Sequence, residues 1–148
     1  MVEVIIASAI MAMVLVSIIS VYNSMAKLSL QNTDAVQANF LLEEGAEIVR
    51  VMRDTSWAQI ASTTDGVIYR FYWNSTTWVA TTSVFTVDQF DRTVVFSPVN
   101  RDADFNITST GGTLDANSRK ATISVAFQRD GATTTKSLEI YTFNTFRN

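Results

Sequence analysis

The sequence predicts an α+β protein, with one long N-terminal α-helix followed by a mainly antiparallel β-sheet head packed on the second half of that helix. Three observations predict it. The first 44 residues contain neither Gly nor Pro, the residues that break helices. Between Glu3 and Lys27 the chain carries no charge, whereas after Lys27 it becomes amphipathic. From Ser56 onward Thr, Val and aromatic residues dominate, and these favour strands.

The helix begins with "MVEVIIASAIMAMVLVSIISVYNSM", residues 1–25, apolar but for the carboxylate of Glu3. A helix needs about 20 apolar residues to cross a hydrocarbon core of about 30 Å, and this run suffices. Being apolar on every face, it calls for lipid or other chains rather than one side of a small domain. It does not read as a secretory signal peptide, because no Lys or Arg precedes it and no small-residue cleavage site follows. A plain membrane anchor would gain nothing from Glu3, since a carboxylate near the bilayer costs a few kcal/mol and usually marks function.

Residues 28–54 continue the helix with a different texture. Ala38, Leu41, Leu42, Gly45, Ile48, Val49 and Met52 recur at spacings of three and four, which places them on one face. Glu43, Glu44, Glu47, Arg50 and Arg53 lie off that stripe. Glu47 with Arg50, and Arg50 with Asp54, have helical ion-pair spacing. A helix from about residue 1 to about residue 54 would be roughly 80 Å long at 1.5 Å per residue. Gly45 costs such a helix about 1 kcal/mol relative to Ala. Two readings follow, a tolerated cost or a close approach by a strand or neighbouring helix.

The head, residues 55–148, reads as strands and turns. "TTDG", ending at Gly66, is a turn, followed by the strand "VIYRFYW" at 67–73, the turn "NST" at 74–76 and "TWVAT" at 77–81. "VFTV" at 84–87 and "RTVVF" at 92–96 are further strand candidates. Residues 99–119 are polar, contain Gly111 and Gly112, and read as a long loop. "ATISVAF" at 121–127 alternates, with Ala121, Ile123, Val125 and Phe127 on one side. Asp130-Gly131 signals a hairpin, and "SLEIYTF" at 137–143 pairs back.

The chain has 148 residues and no internal repeat. It lacks Cys and His, which removes disulfides, thiolate chemistry and the commonest general base and metal ligand. The net charge of −3 is mild, and no basic block suggests nucleic acid. No catalytic constellation is present, and no cofactor is expected. Asp102, Asp104 and Asn106 alternate like the start of a calcium loop but lack its Gly and distal Glu, so a solvated loop is the better reading. Asn74 and Asn106 head Asn-X-Ser/Thr triplets, weak glycosylation candidates, and Asp104 suits an extended bacterial acceptor at Asn106. Trp57, Trp73 and Trp78 fit core or interface better than a sugar-binding platform.

A lone glutamate at the head of an apolar run, a long helix and a small β-rich head together resemble the type IV pilin and pseudopilin family. "MVE" and "VIIASAIMAMVLV" match the family's N-terminal motif, and "FLLEEGAEIVRVMRDTSW", residues 40–57, is similar to pilin-like proteins of Gram-positive and candidate-phylum bacteria. The resemblance covers about the first 57 residues and, in general form, the head. It implies processing by a prepilin peptidase and N-terminal methylation, with Gly-Phe-Ser or Gly-Phe-Thr and a short basic leader expected upstream of Met1. It also implies that Glu3 pairs with the N-terminal amine of a neighbouring subunit. The chain departs from many Gram-negative relatives in having no Cys for a C-terminal disulfide loop and no helix breaker in its apolar half.

The expected function is a structural subunit of a type IV pilus or related filament, its apolar helices forming the core and its heads the surface. Expected partners are copies of itself, the pilus assembly machinery, the prepilin peptidase and, before assembly, the cytoplasmic membrane. The alternatives are a pseudopilin of a secretion or DNA-uptake system and a membrane-anchored monomeric binding domain such as an adhesin.

Overall fold

The structure, a computed structural model, describes residues 1–129 and 131–145. It forms two compact units, residues 1–37 and residues 38–148. One helix, α1 (Val2–Thr55), runs through both. The first unit is helix alone. Its large apolar side chains are exposed, and Ile5, Leu15, Ile19 and Met25 are each more than half exposed.

In the second unit, α1 is followed by a short helix α2 (Trp57–Ala61) and the strands β1 (Ile68–Trp73), β2 (Trp78–Thr81), β3 (Asp91–Arg101), β4 (Ile107–Thr108), β5 (Thr113–Arg129) and β6 (Ala132–Phe143). They form a six-stranded sheet in the order β2-β1-β3-β5-β6, with β4 beside β3 and every described pairing antiparallel. This is the predicted α+β arrangement. The helical stripe is buried together with Phe71, Val94, Phe96, Ala121, Ile123, Val125 and Phe127 from one face of the sheet. Strand alternation explains the choice, since every second residue of β3 and β5 points to the same face. Phe90 and Phe127 pack ring to ring at 5.5 Å, closing one end of the core.

The structure corrects the expected strands in three places. "VFTV" is not a strand: Val84 is 80% exposed, and the segment makes only an isolated bridge between Val87 and Phe90. Phe90, immediately before β3, is buried, whereas Phe85 is 48% exposed. Residues 99–119 are not one long loop. β3 continues to Arg101, β4 pairs with it, and β5 starts at Thr113. A β-bulge between Pro98 and Asn100 lets β3 pass its proline. Beyond the bulge, cross-strand polar contacts replace apolar alternation, a pattern that composition reads as loop. The third difference is α2, which buries Ile60 after an extended Ser56 ends α1.

The predicted turns are present where described. Gly66 has φ +74°, and Asn74 Oδ1 accepts the backbone N–H groups of Thr76 and Thr77 at 3.1 and 2.8 Å. Arg129 pairs with Ala132 across a two-residue link. Gly131 there has φ +78°, the left-handed conformation that such a turn requires. Its partner Asp130 lies outside the described residues.

Candidate functional site

Glu3 stands in the first turn of α1, where the positive end of the helix dipole favours a carboxylate. It is exposed, and so are its apolar neighbours Val2, Val4, Ile5 and Ile6. Three serines of the run satisfy their own hydroxyl protons. The hydroxyls of Ser8, Ser17 and Ser24 donate to the carbonyls of Ile5, Met13 and Ser20 at 2.9, 2.9 and 3.0 Å. Such back-bonding hides a serine from an apolar medium without an outside partner. A carboxylate only accepts, so it cannot bond back to a helix carbonyl in this way. α1 therefore contains a stretch long and apolar enough to cross a bilayer, with one ionisable group near its start.

In the second unit the helix stripe meets the sheet. Leu41, Leu42, Gly45, Ala46, Ile48, Val49 and Met52 are all buried. At Gly45 a Cβ would lie 2.8 Å from Ile123 Cγ2 and 3.5 Å from Arg92 Cδ. Of the two readings, close approach is the one the geometry supports. Arg92 is the residue the sequence reading missed. It occupies the inward parity of β3, shared with Val94 and Phe96, and is 3% exposed. Its Nη1 donates to Glu44 Oε2 at 2.6 Å, and its guanidinium lies 5.9 Å from the centre of the Phe71 ring. An arginine on the apolar parity of a strand was the available signal.

On the outer side of the helix, Arg50 contacts Glu47 as expected. The expected Arg50–Asp54 pair does not form. Asp54 is instead bonded by Arg53 Nε at 2.7 Å, which holds its carboxyl below the ordinary value. Arg50 is already engaged one turn back.

The region read as a loop contains a built polar cluster. Arg101 Nε donates to Asp115 Oδ2 at 2.7 Å, Ser118 Oγ donates to the same oxygen at 2.5 Å, and Arg101 Nη1 donates to the Phe105 carbonyl at 2.7 Å. The Arg101 hydrogen bond, then that of Ser118, depress the Asp115 pKa from 3.8 to about 2. Asp102 Oδ1 accepts the backbone N–H groups of Asp104 and Asn106 at 3.0 and 2.8 Å, closing a tight turn. Its carboxylate thus organises the turn. Among the described residues no group of three His, Cys, Asp or Glu side chains could hold a metal ion.

Asn74 and Asn106 are exposed. Trp57 and Trp78 are partly buried against the core. Trp73 is 53% exposed and packs edge-on against Trp78, with ring centres 5.7 Å apart. One ring of the three is therefore mostly open to solvent.

No protein-family model, curated protein or solved structure matches this chain.

Proposed function

We propose that this chain is a structural subunit of a type IV pilus or related filament. The observation that carries the reading is the contrast along α1. Its second half is apolar on one side and covered by the sheet, while its first half is apolar on all sides, uncovered, and marked by Glu3 alone. A single membrane span explains the apolar surface but not the carboxylate. A bundle of such helices explains both, because an isolated buried charge is costly and a paired one is tolerable. In this reading Glu3 pairs with the N-terminal amine of a neighbouring subunit. The subunit resides in the cytoplasmic membrane until a prepilin peptidase and the assembly machinery pass it into an extracellular filament. It has no catalytic role.

The test is to shear surface filaments from cells that make the protein, view them by electron microscopy and identify their subunits by mass spectrometry. Filaments containing this chain in many copies are expected. A chain found only in the membrane fraction, with no filament, would replace the proposal with an anchored monomeric binding domain.

A further inference from the structure

We infer that the outer face of the sheet, where β3, β5 and β6 carry Ser97, Lys120 and Tyr141 in one row, binds a neutral oligosaccharide. The site does not depend on the filament reading, since an anchored monomer would carry it too. Strand pairing builds the row: Ser97 lies opposite Lys120, and Lys120 opposite Tyr141. These positions alternate with the buried Phe96, Ala121 and Thr142, so they face away from the helix. The β-bulge between Pro98 and Asn100 interrupts the ladder beside the row, and β4 pairs with β3 beyond it. The row, Asn100 and the β4 segment together line a groove of about 500 Å³, the size of a small-molecule site.

The chemistry of the lining selects the ligand. Among the described residues, Ser97, Asn100, Ser109 and Tyr141 make no side-chain hydrogen bond within the chain. They offer three hydroxyls and an amide, each able to donate and to accept. The lining residues include no carboxylate for a cation. An anion would have to compete with Glu139, whose Oε1 already accepts from Lys120 Nζ at 3.1 Å. A wholly apolar ligand would strip water from four polar groups without replacing its hydrogen bonds. The ring of Tyr141, 45% exposed, and the side chain of Ile107, 39% exposed, place apolar surface among those groups. A pyranose matches this combination. Its rim carries hydroxyls that donate and accept, and its face of C–H groups packs on an aromatic ring. Ser97 and Tyr141 stand on paired strands, so they are in place before a ligand arrives, which lowers the ordering cost of binding.

The test presents the full chain, in lipid nanodiscs free of glycoside detergent, to an array of neutral di- to tetrasaccharides that also carries sialylated and sulfated ones. Binding to a neutral member is expected, and the same free sugar is then titrated by calorimetry. Tyr141→Ala should weaken it about tenfold, whereas Tyr141→Phe, which keeps the ring, should lose no more than about threefold. Asn100→Ala should cost about fivefold, the loss of a hydrogen bond. Ser109→Trp, at an exposed position of the lining, should abolish binding by filling the groove. Melting curves check that each variant is folded; if Tyr141→Ala is not, Asn100→Ala and Ser109→Trp decide. No neutral sugar bound, preference for an anionic one, or binding that survives the folded variants would overturn the inference. So would loss of binding on Trp73→Ala with Ser109→Trp unaffected, which would move the sugar to the exposed tryptophan.

Discussion

Position 45 decides how closely helix and sheet can approach. A methyl group there would meet the branched Cγ2 of Ile123, which cannot swing aside as the end of a long side chain could. Gly45→Ala gains up to about 1 kcal/mol of helix propensity but incurs about 1–3 kcal/mol of overpacking. Net destabilisation of up to about 2 kcal/mol is expected in urea unfolding of a fragment comprising residues 28–148. In an Ile123→Ala background the clash disappears, and the same change should stabilise. If Gly45→Ala has the same sign in both backgrounds, the close approach is not what keeps the glycine.

Asp115 makes a second residue-scale prediction. Its pKa is depressed in the folded state, so its contribution is present above the unfolded value and is lost as pH falls toward about 2. Discounted for partial exposure, the Arg101 and Ser118 contacts contribute about 1–2 kcal/mol. Between about pH 4 and pH 2 the wild-type fragment should lose that much more stability than Asp115→Asn does. Parallel pH profiles for the two proteins would mean that the cluster contributes nothing.

For the elements, the question is what each one covers. The sheet's inner face is apolar, and the stripe from Leu41 to Met52 is its cover. Residues 55–148 alone would expose a patch that soluble monomers rarely carry. That fragment should be poorly soluble or oligomeric, and extending it back to about residue 28 should restore a monomer. Light scattering on the two fragments decides it. Equal behaviour would mean that the sheet does not depend on the helix. The pair between buried Arg92 and half-exposed Glu44 adds specificity to this contact, because a helix shifted along its axis would leave the Arg92 charge buried and unpaired.

Across the whole molecule, the two units have different needs. The second buries its own core, and the first offers apolar surface that this chain alone does not cover. Glu3 is where the proposed filament can be separated from simple anchoring. Glu3→Ala should leave insertion intact or improve it, because it removes a costly charge from an apolar helix. Filament yield should fall sharply, since breaking a buried pair costs about 3–5 kcal/mol. Glu3→Asp should be intermediate, keeping the charge but losing reach. Membrane-fraction subunit and sheared filament are measured together. Normal filaments from Glu3→Ala would remove the carboxylate from the assembly mechanism, and loss of subunit from the membrane would assign it to targeting.

The helix, the outward-facing charges after Lys27 and the alternation of residues 121–127 were legible in the sequence. They follow from periods of 3.6 and 2, which neighbouring residues set among themselves. The same local logic marked Leu41, Leu42, Ile48, Val49 and Met52 as one face. It failed where a residue's state depends on a partner far along the chain. Gly45 allowed two readings until Ile123 was beside it. Residues 99–101 and 113–119 looked like loop because their pairing rests on a bulge and on Arg101 meeting Asp115, neither of which leaves an apolar period. "VFTV" had the composition of a strand but pairs only through the isolated bridge of Val87 with Phe90. Arg92 and Phe105 broke the local rules, one charged inside and one apolar outside. A long-range ion pair with Glu44 holds Arg92, recognisable only once helix and sheet have come together, whereas hydrogen bonds within the turn of residues 101–106 hold Phe105.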